Sequence, residues 1–188
     1  MLMDDSRIVA LYFDRADSAL AETAAKYGRY LTAIAANILP DRRDAEEAVN
    51  DAYMAAWSSI PPHAPENLGT YLAKLTRRAA MKRWRASTAQ KRGGGETALV
   101  LEELAGCVPG GTDPAALLEA GALAEALNRF LAALPDTERQ VFLRRYWYVE
   151  PIGQIALRFG FSQSKVKSML HRTRQKLAGH LKKEGIEI

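Results

Sequence analysis

The sequence predicts an all-α protein of two small helical domains joined by a glycine-rich linker. Three observations carry the prediction. Apolar residues recur at three- and four-residue spacing through nearly every segment. No alternating strand pattern of any length occurs. The stretch from Ser87 to Pro114 breaks the helical rhythm with six glycines and two prolines, which reads as a linker. A chain of 188 residues holds one ordinary domain or two small ones. The expected boundaries are 1–90, a flexible linker over 91–114, and 115–188.

The elements follow in order. Ile8, Leu11 and Tyr12 mark a first helical stripe, and Tyr27, Leu31, Ile34 and Ile38 a second. The helix restarts after Pro40, where Asp41 or Asp44 can cap and early carboxylates suit the positive end of the helix dipole. Val49, Tyr53, Ala56 and Trp57 form its inward stripe. Three prolines in "IPPHAPEN" (Ile60–Asn67) force a loop. A helix from about Leu68 to Arg85 then turns Leu68, Tyr71, Leu72, Leu75 and Ala79 inward. Inside the linker a short helix fits Leu99–Leu104. Asp113-Pro114 suits a helix start, because proline is at home in a first turn. One helix is expected from about Ala115 to Ala133 and another through Tyr148, parted by Leu134-Pro135-Asp136. Glu150-Pro151 begins the next.

The net charge of +4 conceals strong segregation. Residues 1–66 carry 6 basic and 11 acidic side chains, whereas 67–95 carry 8 basic and none acidic. Residues 96–140 revert to 2 basic against 8 acidic, and 151–188 hold 8 basic against 2 acidic. Two basic blocks thus alternate with two acidic ones. Basic blocks suit a polyanion, which acidic blocks repel. A single cysteine, Cys107, excludes an intramolecular disulfide and a cysteine-based zinc site, and fits a reducing compartment. The N-terminal stretch lacks a signal-peptide pattern. The longest uncharged helical run, Tyr30–Leu39, is too short to cross a bilayer. A soluble, cytoplasmic protein without membrane insertion is expected.

Residues 152–171, IGQIALRFGFSQSKVKSMLH, meet the steric demands of a helix-turn-helix. Ala156 is small where two helices cross. Gly160 tolerates a left-handed turn. Ser162 can cap the second helix, and Val166 can anchor it. Ile155, Phe159, Phe161 and Leu170 fill further inward positions. Val166, Met169, Leu170, Thr173, Leu177 and Leu181 make the inward stripe of the second helix. Gln163, Ser164, Lys165, Lys167, Ser168, His171 and Arg172 are left outside, with Arg174 and Lys176 farther along. In such motifs the N-terminal part of the second helix enters the major groove, where short polar residues and Lys reach base edges. Basic residues one or two turns later hold phosphates. Gln163, Ser164, Lys167 and Ser168 therefore form the expected reading end, and Arg172 and Arg174 the gripping end.

The second basic block, "YLAKLTRRAAMKRWRASTAQKR" (71–92), combines Lys74, Arg77, Arg78, Lys82, Arg83 and Arg85 with Trp84. Cationic side chains neutralise phosphates, and an exposed indole can stack on an unpaired base. The combination suits single-stranded or melted DNA. Packing is the competing role for Trp84, and Tyr71 lies on the inward stripe.

Taken together, these stretches resemble bacterial RNA polymerase sigma factors of the compact, two-domain, extracytoplasmic-function type. "DAEEAVNDAYMAAW" (44–57) looks like that family's polymerase-docking helix. "NLGTYLAKLTRRAAMKRWR" (67–85) looks like its promoter-recognition and melting helix. "LPDTERQVFLRRYWYVEPIGQIALRFGFSQSKVKSMLHRTRQKL" (134–177) is similar to its C-terminal helix-turn-helix domain. The resemblance implies core RNA polymerase and promoter DNA as partners. The first domain would dock on the polymerase through Glu47, Asn50, Asp51, Tyr53 and Met54. It would bind the minus-ten element and trap a flipped base of the melted non-template strand in the loop Ile60–Leu68. The second would bind the minus-thirty-five element as duplex, with the linker threading toward the RNA exit channel. An anti-sigma factor is a common partner in the family.

Two departures stand out. The family usually has Arg-Asn where this chain has Arg77-Arg78, and commonly Asp where it has Lys82. Arg78 has no hydrogen-bond acceptor, so tighter phosphate binding and altered or relaxed minus-ten specificity are expected. No enzymatic role is expected, because no nucleophile–base pair or metal-ligand cluster stands out, and Gly93–Gly95 lack the Lys-Ser/Thr of a P-loop. No cofactor and no metal are expected. The alternative is a stand-alone helix-turn-helix regulator, which would dimerise and bind palindromic operators without polymerase.

Overall fold

Helix-forming periodicity in the sequence is matched by nine α-helices, with no strand, among the residues that the computed structural model describes: 3–88, 95–105 and 121–186. The all-α expectation holds. The chain divides into two units, residues 1–92 and 93–188.

The first unit contains α1 (Asp5–Phe13), α2 (Ser18–Ile38), α3 (Arg42–Ser59) and α4 (Leu68–Thr88). Helices α2, α3 and α4 pack on one another, with α1 against α2. The inner face of α3 is built of small residues, Ala45, Ala48, Val49, Ala52 and Ala56, all buried. Opposite them lie larger buried groups, including Leu31, Ile34, Leu68, Leu72 and Met81. Each large apolar side chain removed from water contributes about 1.5–3 kcal/mol. Asp41 supplies the cap of α3: its Oδ1 accepts from the backbone N–H groups of Arg43 at 2.8 Å and Asp44 at 3.1 Å. Of the two capping candidates, Asp41 is the one used.

The helix pair α2–α4 approaches closely at Gly69. A Cβ there would lie 2.8 Å from Cε1 of Tyr27. That ring is fixed by its hydroxyl, which donates to Asp5 at 2.5 Å, while Lys26 donates to the same carboxylate oxygen at 2.7 Å. Buried Tyr12 shares a hydrogen bond of 2.9 Å with Thr23, tying α1 to α2. Trp57, expected on the inward stripe of α3, is only part-buried. The guanidinium of Arg15 covers its ring at 5.3 Å.

The second unit contains α5 (Gly95–Ala105), α6 (Gly121–Ala133), α7 (Asp136–Tyr146), α8 (Ile152–Phe159) and α9 (Gln163–Lys183). Helix α9 packs against α6, α7 and α8. The short helix expected at Leu99–Leu104 extends from Gly95 to Ala105 and packs on α7. Helix α7 ends at Tyr146, two residues before the expected end, and the chain then passes through Val149 at φ 54. The expected start of a helix at Ala115 lies outside the described residues, as do 91–94 and 106–114 of the expected linker and Cys107.

Candidate nucleic-acid interface

The turn between α8 and α9 is built as its residues require. Gly160 caps α8 in the left-handed region, at φ 64 and ψ 32. The Phe161 N–H returns to the Ala156 carbonyl at 2.9 Å, which satisfies a carbonyl that the ending helix leaves open. Ser162 then caps α9, its Oγ accepting from the Lys165 N–H at 3.2 Å. Val166, Leu170, Thr173, Leu177 and Leu181 are buried, as is Ala156 at the crossing. Phe159 and Phe161, expected inward, are half-buried and stacked on each other at 6.0 Å.

The outer face of α9 presents Gln163, Ser164, Lys165, Lys167, Ser168, His171 and Arg172, all exposed. Lys165 lies over the Phe161 ring, its Nζ 3.6 Å from the centroid, a cation on the negative face of the aromatic. Arg174 is placed differently. It is 20% exposed, and its guanidinium donates to the Tyr146 hydroxyl at 2.5 Å and to Glu103 at 3.3 Å.

Those contacts belong to a larger cluster. Arg145 is 1% exposed and sits between two carboxylates of α5. It donates to Glu103 at 2.6 and 3.2 Å and also to Glu96. The Tyr146 hydroxyl donates to Glu103 at 2.9 Å. Burial alone would raise the Glu103 carboxyl. The hydrogen bonds and charge of Arg145, with help from Tyr146 and Arg174, outweigh it and hold Glu103 below the usual carboxylate range. Glu150, 3% exposed, is a second buried acid, contacted by Arg144 at 3.3 Å and Arg158 at 3.2 Å. Sequence reasoning singled out none of Glu96, Glu103 or Arg145, and took Glu150 only as the start of a helix. The available signal was slight: three acids, Glu96, Glu102 and Glu103, in a glycine-flanked stretch, and an Arg-Arg pair at 144–145 far from them in sequence.

In the first unit Lys74, Arg78, Lys82 and Arg85 are exposed. Their spacing of four, four and three residues places them along one face of α4. Arg77, grouped with them by sequence, is 1% exposed and lies inside the bundle. Trp84 is part-exposed. Arg83 turns toward α3, donating to Asp51 at 2.7 and 3.1 Å and to Glu47 at 2.6 Å. The Asp51 hydrogen bond leads in raising the Arg83 pKa, joined by the charges of Asp51 and Glu47 and opposed by desolvation.

The sequence candidates on α3 therefore share their carboxylates with α4. Glu47, Asn50, Asp51 and Met54 are exposed and form one stripe, with Met54 at 57%. Tyr53 is half-buried and raised in pKa by desolvation and by Tyr12. It faces the bundle, where a Cβ on Gly28 would touch its hydroxyl at 3.5 Å. The loop after α3 is pinned at its base. Ile60 is buried, the Tyr71 hydroxyl donates to Ser59 at 2.7 Å, and Asn67 accepts from the Thr70 N–H at 2.7 Å. Its tip, Pro62–Ala64, is exposed. Among the described residues no cluster of His, Cys, Asp and Glu could hold a metal ion, and no helix is long and apolar enough to cross a membrane.

Two surfaces of different character thus occur on one chain: a basic helix beside an acidic stripe in the first unit, and a helix-turn-helix in the second. No curated protein matches the chain. Sigma-70 region 2 matches residues 23–90, which span α2 to α4. Sigma-70, region 4 matches residues 124–177, which include the helix-turn-helix. These two matches, in this order, carry a role in promoter recognition, and the chain belongs to the sigma-70 family of RNA polymerase sigma factors, in its two-domain form.

Proposed function

We propose that this sigma factor binds core RNA polymerase through the exposed stripe of α3, directs it to a subset of promoters and promotes melting of the DNA. Residues 1–90 dock on polymerase and engage the minus-ten element, and residues 115–188 read the minus-thirty-five element as duplex. Glu47, Asn50, Asp51 and Met54 form the docking stripe, with half-buried Tyr53 behind them. Lys74, Arg78, Lys82 and Arg85 line the path of the minus-ten DNA, and Trp84 stacks against a base at its edge. Gln163, Ser164, Lys167, Ser168 and His171 face base edges, while Lys165 and Arg172 hold phosphates.

The observation that carries the reading is the hairpin of α3 and α4. An acidic and partly apolar stripe lies beside a wholly basic one, a pairing that suits a protein partner on one side and a polyanion on the other. The chain performs no covalent chemistry in this scheme and acts in the cytoplasm. Reconstituted transcription with core polymerase and a promoter library tests it. Promoter-selective initiation that requires both proteins is the expected result. Dimeric binding to palindromic DNA without polymerase would instead identify a stand-alone regulator.

A further inference from the structure

The basic block of α4 divides at two neighbouring residues. Lys82 is exposed. Arg83, about 100° farther round the helix, turns to α3 and forks between two carboxylates. Its Nε and Nη2 donate to Oδ2 of Asp51 at 3.1 and 2.7 Å, and its Nη1 donates to Oε2 of Glu47 at 2.6 Å. The Arg83 side chain is 31% exposed, against 51% for Glu47 and 55% for Asp51. The cation is thus the inner member of the group, and the acids are the outer ones.

Glu47 and Asp51 lie one turn apart on α3. Like charges at that spacing repel, and without a cation between them the two side chains would splay apart. The planar guanidinium holds both at once, through short, charge-assisted hydrogen bonds. It engages one oxygen of each acid. The other oxygens, Oε1 of Glu47 and Oδ1 of Asp51, accept from no protein group among the described residues. Asn50 and Met54 continue the same exposed stripe. A partner therefore meets two carboxylate oxygens set side by side, with an apolar side chain one turn on. A basic surface with a small apolar recess fits that arrangement.

We propose that Arg83 is a positioning residue for polymerase docking and not a contact to DNA: its guanidinium sets Glu47 and Asp51 in the geometry that the polymerase receives. The inference rests on the function proposed above. Two opposed effects decide its sign. A partner cation on the outer oxygens would lie about 7 Å from the guanidinium, where repulsion weakens binding about threefold in water and less in salt. Against this, Arg83 orders two side chains before the partner arrives. Immobilising one such side chain on association weakens binding by about 2- to 10-fold, and two by roughly 5- to 100-fold. Ordering outweighs repulsion, and losing Arg83 weakens docking.

The test uses the full chain, with core polymerase as the probe of docking. Arg83→Met keeps a stem that can pack on the helix and removes the donors. It is expected to weaken the affinity for core polymerase by about tenfold, and an unchanged affinity overturns the proposal. In the Glu47→Gln/Asp51→Asn background the same substitution should cost less than about twofold, because no carboxylates remain to be set. An equal cost in both backgrounds would show that Arg83 merely holds the bundle together, and overturns the positioning role. Arg83→Lys keeps the charge without the fork, so it should restore little of the loss. Full restoration reduces Arg83 to a simple charge and likewise refutes the inference. DNA is read separately, with polymerase saturating and a single-stranded minus-ten oligonucleotide as ligand. Lys82→Ala should lower the salt slope of binding by about 0.7, whereas Arg83→Met should leave it unchanged. A slope lowered equally by both assigns Arg83 to the phosphates instead. Failure of the wild-type chain to bind core polymerase overturns the function itself, whereas intact binding that is equal in Arg83→Met overturns this inference alone.

Discussion

Two glycines of the second unit offer a paired test of how its turn is held. Gly160 closes α8 at φ 64, whereas Gly179 lies within α9. A Cβ built on either meets no atom within 4 Å. Steric clash is thereby removed from both substitutions, and only backbone conformation remains. At Gly160 an alanine must adopt the left-handed region, at about 1–2 kcal/mol. The stiffer unfolded chain returns about 0.4–1 kcal/mol, leaving a net loss near 1 kcal/mol. At Gly179 the helical conformation suits alanine, and the gain is about 0.5–1 kcal/mol. Gly160→Ala and Gly179→Ala should thus shift stability in opposite directions, separated by about 1.5–2 kcal/mol. For a domain of this size each kcal/mol moves the melting temperature by about 4–8 °C. Urea unfolding of the full chain, followed through backbone amides of α8 and α9, isolates the second unit from the first. Gly160→Asn should fall between wild type and Gly160→Ala, since asparagine enters the left-handed region more readily. Two alanine variants that shift in the same direction would refute the argument, because they differ only in backbone conformation.

Further outcomes follow from single contacts. Gly69→Ala should destabilise the first unit, because its Cβ would displace the Tyr27 ring and break the hydrogen bond to Asp5; thermal unfolding reads the loss, and Gly69→Ala combined with Tyr27→Leu should recover part of it. Ser162→Ala removes the cap of α9 and should cost about 1 kcal/mol, measured by denaturant titration. Arg78→Asn should sharpen minus-ten preference in a promoter-variant profile, and an unchanged profile would show that Arg78 sits away from the bases. The Glu103 carboxyl is held below its usual range, so its contribution is whole above that range and is lost as pH falls below it. Amide protection of α5 should fall through that window in the wild-type protein, and the step should be absent in Glu103→Gln.

Local rules made much of this molecule legible in the sequence. The left-handed turn at Gly160, the cap at Ser162 and the buried stripe of α9 each follow from residue type and spacing, and each is found. The two family matches agree with the resemblance drawn from residues 44–57, 67–85 and 134–177. Pairings across long sequence distances were not legible. Arg77, Arg83 and Arg174 have the composition of phosphate contacts, yet one is buried and two are held by carboxylates 32 to 71 residues away. Periodicity says which face of a helix is polar; it does not say which neighbouring helix brings an acid to it. For the same reason α5 read as part of a linker. Its glycine-rich flanks dominate the composition, and its partner Arg145 lies 42 residues beyond Glu103.

The alanine face of α3 has a mechanical consequence. Four methyl-sized side chains and one valine set the gap between α3 and its neighbours, so they act as a shim of fixed gauge under the basic helix. Enlarging any one of them is expected to displace a neighbouring helix while leaving the exposed basic residues of α4 unchanged. On the function proposed above, promoter preference would then be adjustable from the inside of the bundle, at positions set apart from the exposed basic face.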